Sequence, residues 1–146
     1  MPVPAPGDAV PPLAKEAITK VQLLKYAGAS GDHNLIHTDL ETARAVGLPG
    51  IIAHGMLSMG FLGQFLVGLA GPEGVRRLRV RFNAIVRPGD VLTCRGTVTS
   101  VQEPSGGKRV VALEVWAENQ QGERVTTGEA EVYWPDPEAG RGPWDV

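Results

Sequence analysis

At 146 residues the chain has room for one buried core and not for two independent ones, and 42% hydrophobic with 21% charged residues excludes disordered, collagen-like or disulfide-built architectures. A formal net charge of −2 leaves no overall basic field for nucleic acid, so phosphate recognition, if any, has to be local. Cys94 is the only cysteine, which rules out an intrachain disulfide, and the start from Met1 to Gly7 lacks the charged flank and apolar stretch of a secretory signal, so a cytoplasmic setting is expected.

In chain order, residues 1–10 read as a flexible tail and Glu16 to Ile18 as a weak, short strand. Thr19 with Gln22 three residues on makes a capping-box pattern, and Val21, Leu24 and Ala27 then recur at helical spacing until Gly28. This short amphipathic helix delivers the chain to a polar loop, Ser30-Gly31-Asp32-His33-Asn34. Asp39 caps a second short helix over Leu40 to Val46, which Gly47 ends. From Ile51 to Pro72 no residue is charged, and Met56, Leu57, Met59, Phe61, Leu62, Phe65, Leu66 and Leu69 cover every side of a helix, which must therefore be enclosed. Gly55, Gly60, Gly63 and Gly68 dilute it, and Ser58 and Gln64 interrupt it, so it reads as enclosed by its own protein rather than by a membrane.

Beyond Gly74 the period changes to two. Leu78, Val80, Phe82 and Ala84 alternate with Arg77, Arg79, Arg81 and Asn83, a strand with one face inward and one wet. Turns at Pro88-Gly89-Asp90, Pro104 to Gly107 and Asn119 to Gly122 then separate strands over Val91 to Val101, Arg109 to Glu118 and Arg124 to Trp134. Cys94, between Thr93 and Arg95 and with no base beside it, reads as a packing thiol. One apolar helix beside one antiparallel meander predicts an α+β domain in which the sheet wraps the helix. The remainder, about 136–146, reads as a flexible tail.

Asp32, Asn34 and His37 fall within six positions, the densest concentration of ionisable and amide groups in the chain. A carboxylate and an imidazole together hold a water and move its proton, and an amide orients them without adding charge. Gly55 is placed at the start of the apolar helix, where free backbone N–H groups and the helix dipole hold a developing oxyanion, and where no side chain obstructs a substrate carbonyl. A metal reading on His33, His37, Asp32 and Asp39 fails because the spacing is helical while the loop around Gly31 is not; neither metal nor cofactor is expected.

Two stretches, Tyr26-Ala27-Gly28-Ala29-Ser30-Gly31-Asp32-His33-Asn34-Leu35-Ile36-His37-Thr38-Asp39 and Ile52-Ala53-His54-Gly55-Met56-Leu57, resemble the signature of MaoC-like or R-specific enoyl hydratases. The likeness is closer to the catalytic subunit of the mycobacterial-type (3R)-hydroxyacyl-ACP dehydratases, and it extends from about Ile18 to Trp134. It implies a hot-dog fold, a homodimer or a heterodimer with a second hot-dog subunit, and an acyl-CoA or acyl-ACP substrate that gains or loses water. By the same resemblance Asp32 and His37 form the catalytic pair, Asn34 supports them, and the Gly55 N–H binds the thioester oxygen. Ser30, Ala53, His54 and Met56 flank these groups as expected substrate contacts, although His54 reads first as a packed or capping histidine and Ser30 as a residue that shapes the loop. Two departures stand out: Leu35 replaces a proline common after the motif asparagine, and Gly63 replaces a serine found in some R-hydratases. Arg77, Arg79 and Arg81 read equally as a solvated sheet face and as a docking patch for coenzyme A phosphates or an acidic carrier protein. A hot-dog thioesterase and a non-catalytic acyl-thioester-binding subunit are the competing functions.

Overall fold

The computed structural model describes residues 2–103 and 108–134. Five strands form one antiparallel sheet: β1 (Leu13–Ala14), β2 (Val75–Phe82), β3 (Thr93–Val101), β4 (Arg109–Glu118) and β5 (Arg124–Trp134), in the order β1-β3-β4-β5-β2. Among the described residues, three α-helices accompany them: α1 (Lys20–Ser30), α2 (Leu40–Ala45) and α3 (Gly55–Ala70). The long strands form because β-branched residues at alternate positions pack one face inward, and the sheet curls around α3 to make a hot-dog fold. Leu57, Phe61, Leu62, Phe65, Leu66 and Leu69 of α3 meet Val98, Val111, Leu113, Val115, Val125 and Val132 of the sheet. Each such fully buried aliphatic or aromatic side chain contributes roughly 1.5–3 kcal/mol. Gly96 lets the Phe65 ring lie against the sheet, since a Cβ there would sit 3.2 Å from it.

Several expectations require correction. No strand forms over Glu16 to Ile18; the short strand is Leu13–Ala14, and Ile18 is instead buried, with its N–H on the Asp90 carbonyl. The first helix runs through Gly28 to Ser30 and buries Leu23 and Ala27, whereas Val21 and Leu24 are each 58% exposed. The expected tail is tied down from Gly7 onward: the N–H groups of Gly7 and Val10 bond to Val98 and Gly96, and Val10 is buried. β2 stops at Phe82, which is 48% exposed and so leaves the inward row of Leu78 and Val80, whereas Ala84 packs against the core as they do. Finally, α3 is not enclosed all round. Met56, Gly60, Gly63 and Val67 form a stripe on the side turned away from the sheet, and Met56 and Val67 are exposed.

The turn at Pro104 to Gly107 and the tail beyond Trp134 lie outside the described residues. Among those described, no helix is long and apolar enough to cross a membrane.

Candidate active site

The polar loop is built by side chains that bond to the backbone just ahead of them. Gly31 ends α1 in the left-handed region at φ 76°, which lets the chain turn sharply off the helix. The Asp32 N–H then donates to Ser30 Oγ, the Asn34 N–H to Asp32 Oδ1 and the Ile36 N–H to Asn34 Oδ1, each at 3.2 Å. This ladder winds the chain into a 3-10 turn, Leu35–His37, and it occupies Asp32 Oδ1 while Oδ2 faces His37. Asn34 acts as the cap of that turn, and Ser30 holds the loop, so both support the site from outside it.

His37 is buried, and its Nδ1 lies 2.8 Å from the Ile52 carbonyl. A carbonyl only accepts, so Nδ1 carries the proton in the neutral ring and Nε2 presents a lone pair. That Nε2 is 3.7 Å from Asp32 Oδ2, too far for a direct hydrogen bond. Two acceptors at this separation suit one molecule that has two hydrogens to give, such as water, or a substrate hydroxyl shared between them.

His54 lies behind this pair. Its ring stacks on His37 with centroids 3.8 Å apart and an interplanar angle of 25°, and Tyr26 packs on it at 4.8 Å. Its Nε2–H donates to the Asp32 backbone carbonyl at 3.2 Å. Burial pushes the His54 pKa down and the neighbouring His37 adds to this, against opposing contributions from Asp32, so the ring stays neutral. Its Nδ1 has no hydrogen-bond partner among the described residues. Asp32, His37 and His54 place ligand-type atoms within 4.8 Å of one another, yet the trio suits a metal ion poorly. Imidazole lone pairs lie in the ring planes, and the planes of stacked rings do not converge on one point. His33 is exposed, and Asp39 is committed to capping α2 through the Thr42 N–H, so neither joins the cluster.

Gly55 opens α3 as expected. Its N-cap, His54, makes no side-chain capping bond, and the Leu57 N–H turns back to the His54 carbonyl, which leaves the Gly55 and Met56 N–H groups as the donors of the helix end without a partner among the described residues. A cleft of about 370 Å³ opens here, lined by His37, Ala53, Gly55, Ser58, Phe82 and Thr126 among others. The missing side chain at Gly55 has a structural reason the sequence concealed: a Cβ would come 3.0 Å from the Phe82 ring. Asp32, His37, Ala53, His54 and Gly55 are thus brought together, while Met56 lies on the outer stripe of α3. Sequence reasoning missed Ser58 and Thr126. The Ser58 hydroxyl donates to the Gly55 carbonyl at 2.7 Å and pairs with Thr126 Oγ1 at 2.7 Å, which forms a buried polar floor beside the opening of α3. Ser58 carried a signal, a hydroxyl one turn into an apolar helix; Thr126 carried none.

Elsewhere, Cys94 is buried with its thiol pushed up to about 12, consistent with packing. Arg77 and Arg79 lie in register with Glu131 and Glu129 of β5, so acidic neighbours share their exposed face.

The MaoC like domain model matches residues 3–121. The chain is similar to an (R)-specific enoyl-CoA hydratase of Rhodospirillum rubrum, 34% identical over 125 residues that cover 84% of this chain and 83% of the relative. It is also similar to the peroxisomal hydratase-dehydrogenase-epimerase of Saccharomyces cerevisiae, at 32% identity over 75% of this chain, but it spans only 12% of that larger protein. Among solved structures, an (R)-hydratase from A. caviae superposes with a TM-score of 0.78 at 26% identity, covering 88% of this chain and 96% of the other.

Proposed function

The chain belongs to the MaoC-like domain family, and on that premise we propose that it is a hydro-lyase that reversibly hydrates trans-2-enoyl thioesters to (3R)-hydroxyacyl thioesters. The observation that carries this reading is the pairing of Asp32 Oδ2 with a His37 Nε2 kept free by the Nδ1 bond to Ile52, beside the free N–H of Gly55. In hydration, the two acceptors hold a water whose oxygen bonds to C3 as its proton passes to the pair. The π electrons move onto the thioester oxygen, which the Gly55 N–H stabilises, and C2 then takes a proton from the pair. In dehydration, His37 removes the C2 proton, and the 3-hydroxyl takes a proton from the pair and leaves as water as the double bond forms. No step calls for a cofactor.

The acyl carrier is coenzyme A or an acyl carrier protein, and the working unit is a homodimer or a heterodimer with a second hot-dog subunit. The open stripe of α3, the exposed Phe82 and the edge position of β2 support such a partner.

The test is to follow the enoyl absorbance of crotonyl-coenzyme A with the purified chain, alongside a thiol-trapping dye. Loss of absorbance without free thiol supports the hydro-lyase. Thiol release assigns a thioesterase, and binding without either change assigns a non-catalytic subunit.

A further inference from the structure

We infer that His54 is a positioning residue that holds Asp32 and His37 in mutual register with the opening of α3, by a hydrogen bond to one and a ring stack on the other. The inference rests on the reading of Asp32 and His37 as the proton-handling pair. His54 touches both members of the pair. Its Nε2–H holds the Asp32 backbone carbonyl at 3.2 Å, which fixes the stem of the carboxylate, and its face lies 3.8 Å from the face of His37.

The opposite edge of His37 is held by the Ile52 carbonyl, two residues before His54, so the His37 ring is gripped on its edge and its face by one short segment. That segment is itself clamped, the Ile52 N–H bonding to Ile36 and the Ala53 N–H to Val86, and it continues directly into Gly55. A displacement of His54 therefore moves the acid/base pair relative to the oxyanion donor. Ångström-scale misplacement of such groups costs on the order of a hundredfold in rate.

The chemistry of the ring fits this role. A buried neutral imidazole stacked on His37 offers its π face to whatever charge His37 gains during turnover, and it supplies an N–H donor that a phenyl ring lacks. A second cation 3.8 Å away would oppose that charge. His54 thus has two separable functions, a donor and a face.

Three variants separate them: His54→Gln keeps a donor, His54→Phe keeps a face, and His54→Leu keeps neither. With crotonyl-coenzyme A, His54→Leu is expected to lower kcat by about tenfold to a hundredfold while KM changes by less than about threefold, and Gln and Phe each to recover part of the loss. Wild-type kcat in His54→Leu, or a loss carried by KM, overturns the inference. A fold defect is distinguished by melting temperature and by restoration in the Gln and Phe variants, which a collapsed site would not show. A wild-type chain that turns over no thioester, alone or with a second hot-dog subunit, overturns the hydro-lyase reading instead. The arrangement is then read directly: the imidazole resonances of His37 are expected to move in His54→Leu and to stay fixed in the control His33→Leu, whose ring is exposed. Unmoved His37 resonances overturn the inference whether or not substrate is consumed.

Discussion

Two regions of the molecule are rich in charged and polar side chains, and the fold treats them in opposite ways. On the outer face of the sheet, charge meets charge in water: Arg95 pairs with Glu118 at 2.6 Å, Arg124 with Glu114 at 3.0 Å and Arg76 with Glu131 at 3.6 Å, and most of these side chains are about half exposed. At the cleft, Asp32, His37 and His54 are secured mainly by backbone N–H and C=O groups, and Asp32 Oδ2 and His37 Nε2 are left uncommitted. Groups that neutralise one another have nothing left to offer a substrate. Groups anchored at one atom keep another free for chemistry.

The hardest test of that contrast is removal of the free atoms. Asp32→Asn and His37→Ala are each expected to lower kcat by about 10²–10⁴ with little change in melting temperature, because the lost functions are acid/base steps. Turnover at the wild-type rate in either variant breaks the assignment. Next comes the donor at the helix opening. His54 already has the extended backbone, ψ 132°, that a following proline requires, so Gly55→Pro can delete the N–H at the first helical position while sparing the helix. Combined with Phe82→Leu to relieve the ring, it is expected to cost roughly 3–4 kcal/mol of transition-state stabilisation, whereas Gly55→Ala with Phe82→Leu keeps the donor and most of the activity.

A smaller effect concerns pH. Burial lowers the pKa of His54 in the folded chain below its ordinary value of 6.5, so the unfolded chain binds the proton more readily. Its contribution to stability is complete above about pH 6.5 and is lost as pH falls toward the folded pKa. Melting temperature is expected to drop from pH 7 to pH 5, and the drop to be shallower in His54→Phe; equal slopes would remove His54 from the acid sensitivity.

The smallest effects belong to the outer face. Arg124→Ala and Glu114→Ala are expected to change stability by no more than about 1 kcal/mol, as exposed pairs do. Arg79→Ala, at a position in register with Glu129 across the strands, is expected to leave KM within about twofold and its salt dependence nearly unchanged. A KM that rises steeply with salt and loses that dependence in Arg79→Ala would restore the docking patch.

Much of the fold is legible in the residues alone. The buried helix begins at Gly55, and three of the four long strands follow their predicted limits closely, because period-two and all-apolar patterns record burial directly. The pair Asp32/His37 is legible because its members are close in sequence. The inward face of α1 is not, since Val21 and Leu24 share helical spacing with Ala27 just as Leu23 does, and only packing selects between overlapping stripes. The role of Gly55 is half legible: the helix opening is visible, but not the Phe82 ring from a segment 27 residues away that occupies its Cβ space.

What the chain determines by itself is local: helix caps such as Thr19 and Asp39, strand alternation, and a loop whose Ser, Asp and Asn side chains bond two residues ahead. What the tertiary structure decides is every contact that closes over a long separation: His54 on Asp32 across 22 residues, His37 on Ile52 across 15, and Ser58 on Thr126 across 68. The reason is physical. A cap or a turn is settled by neighbours that the backbone already holds in reach, whereas two distant side chains meet only after the helix has been buried against the sheet, and no spacing along the chain encodes which of them that burial will bring face to face.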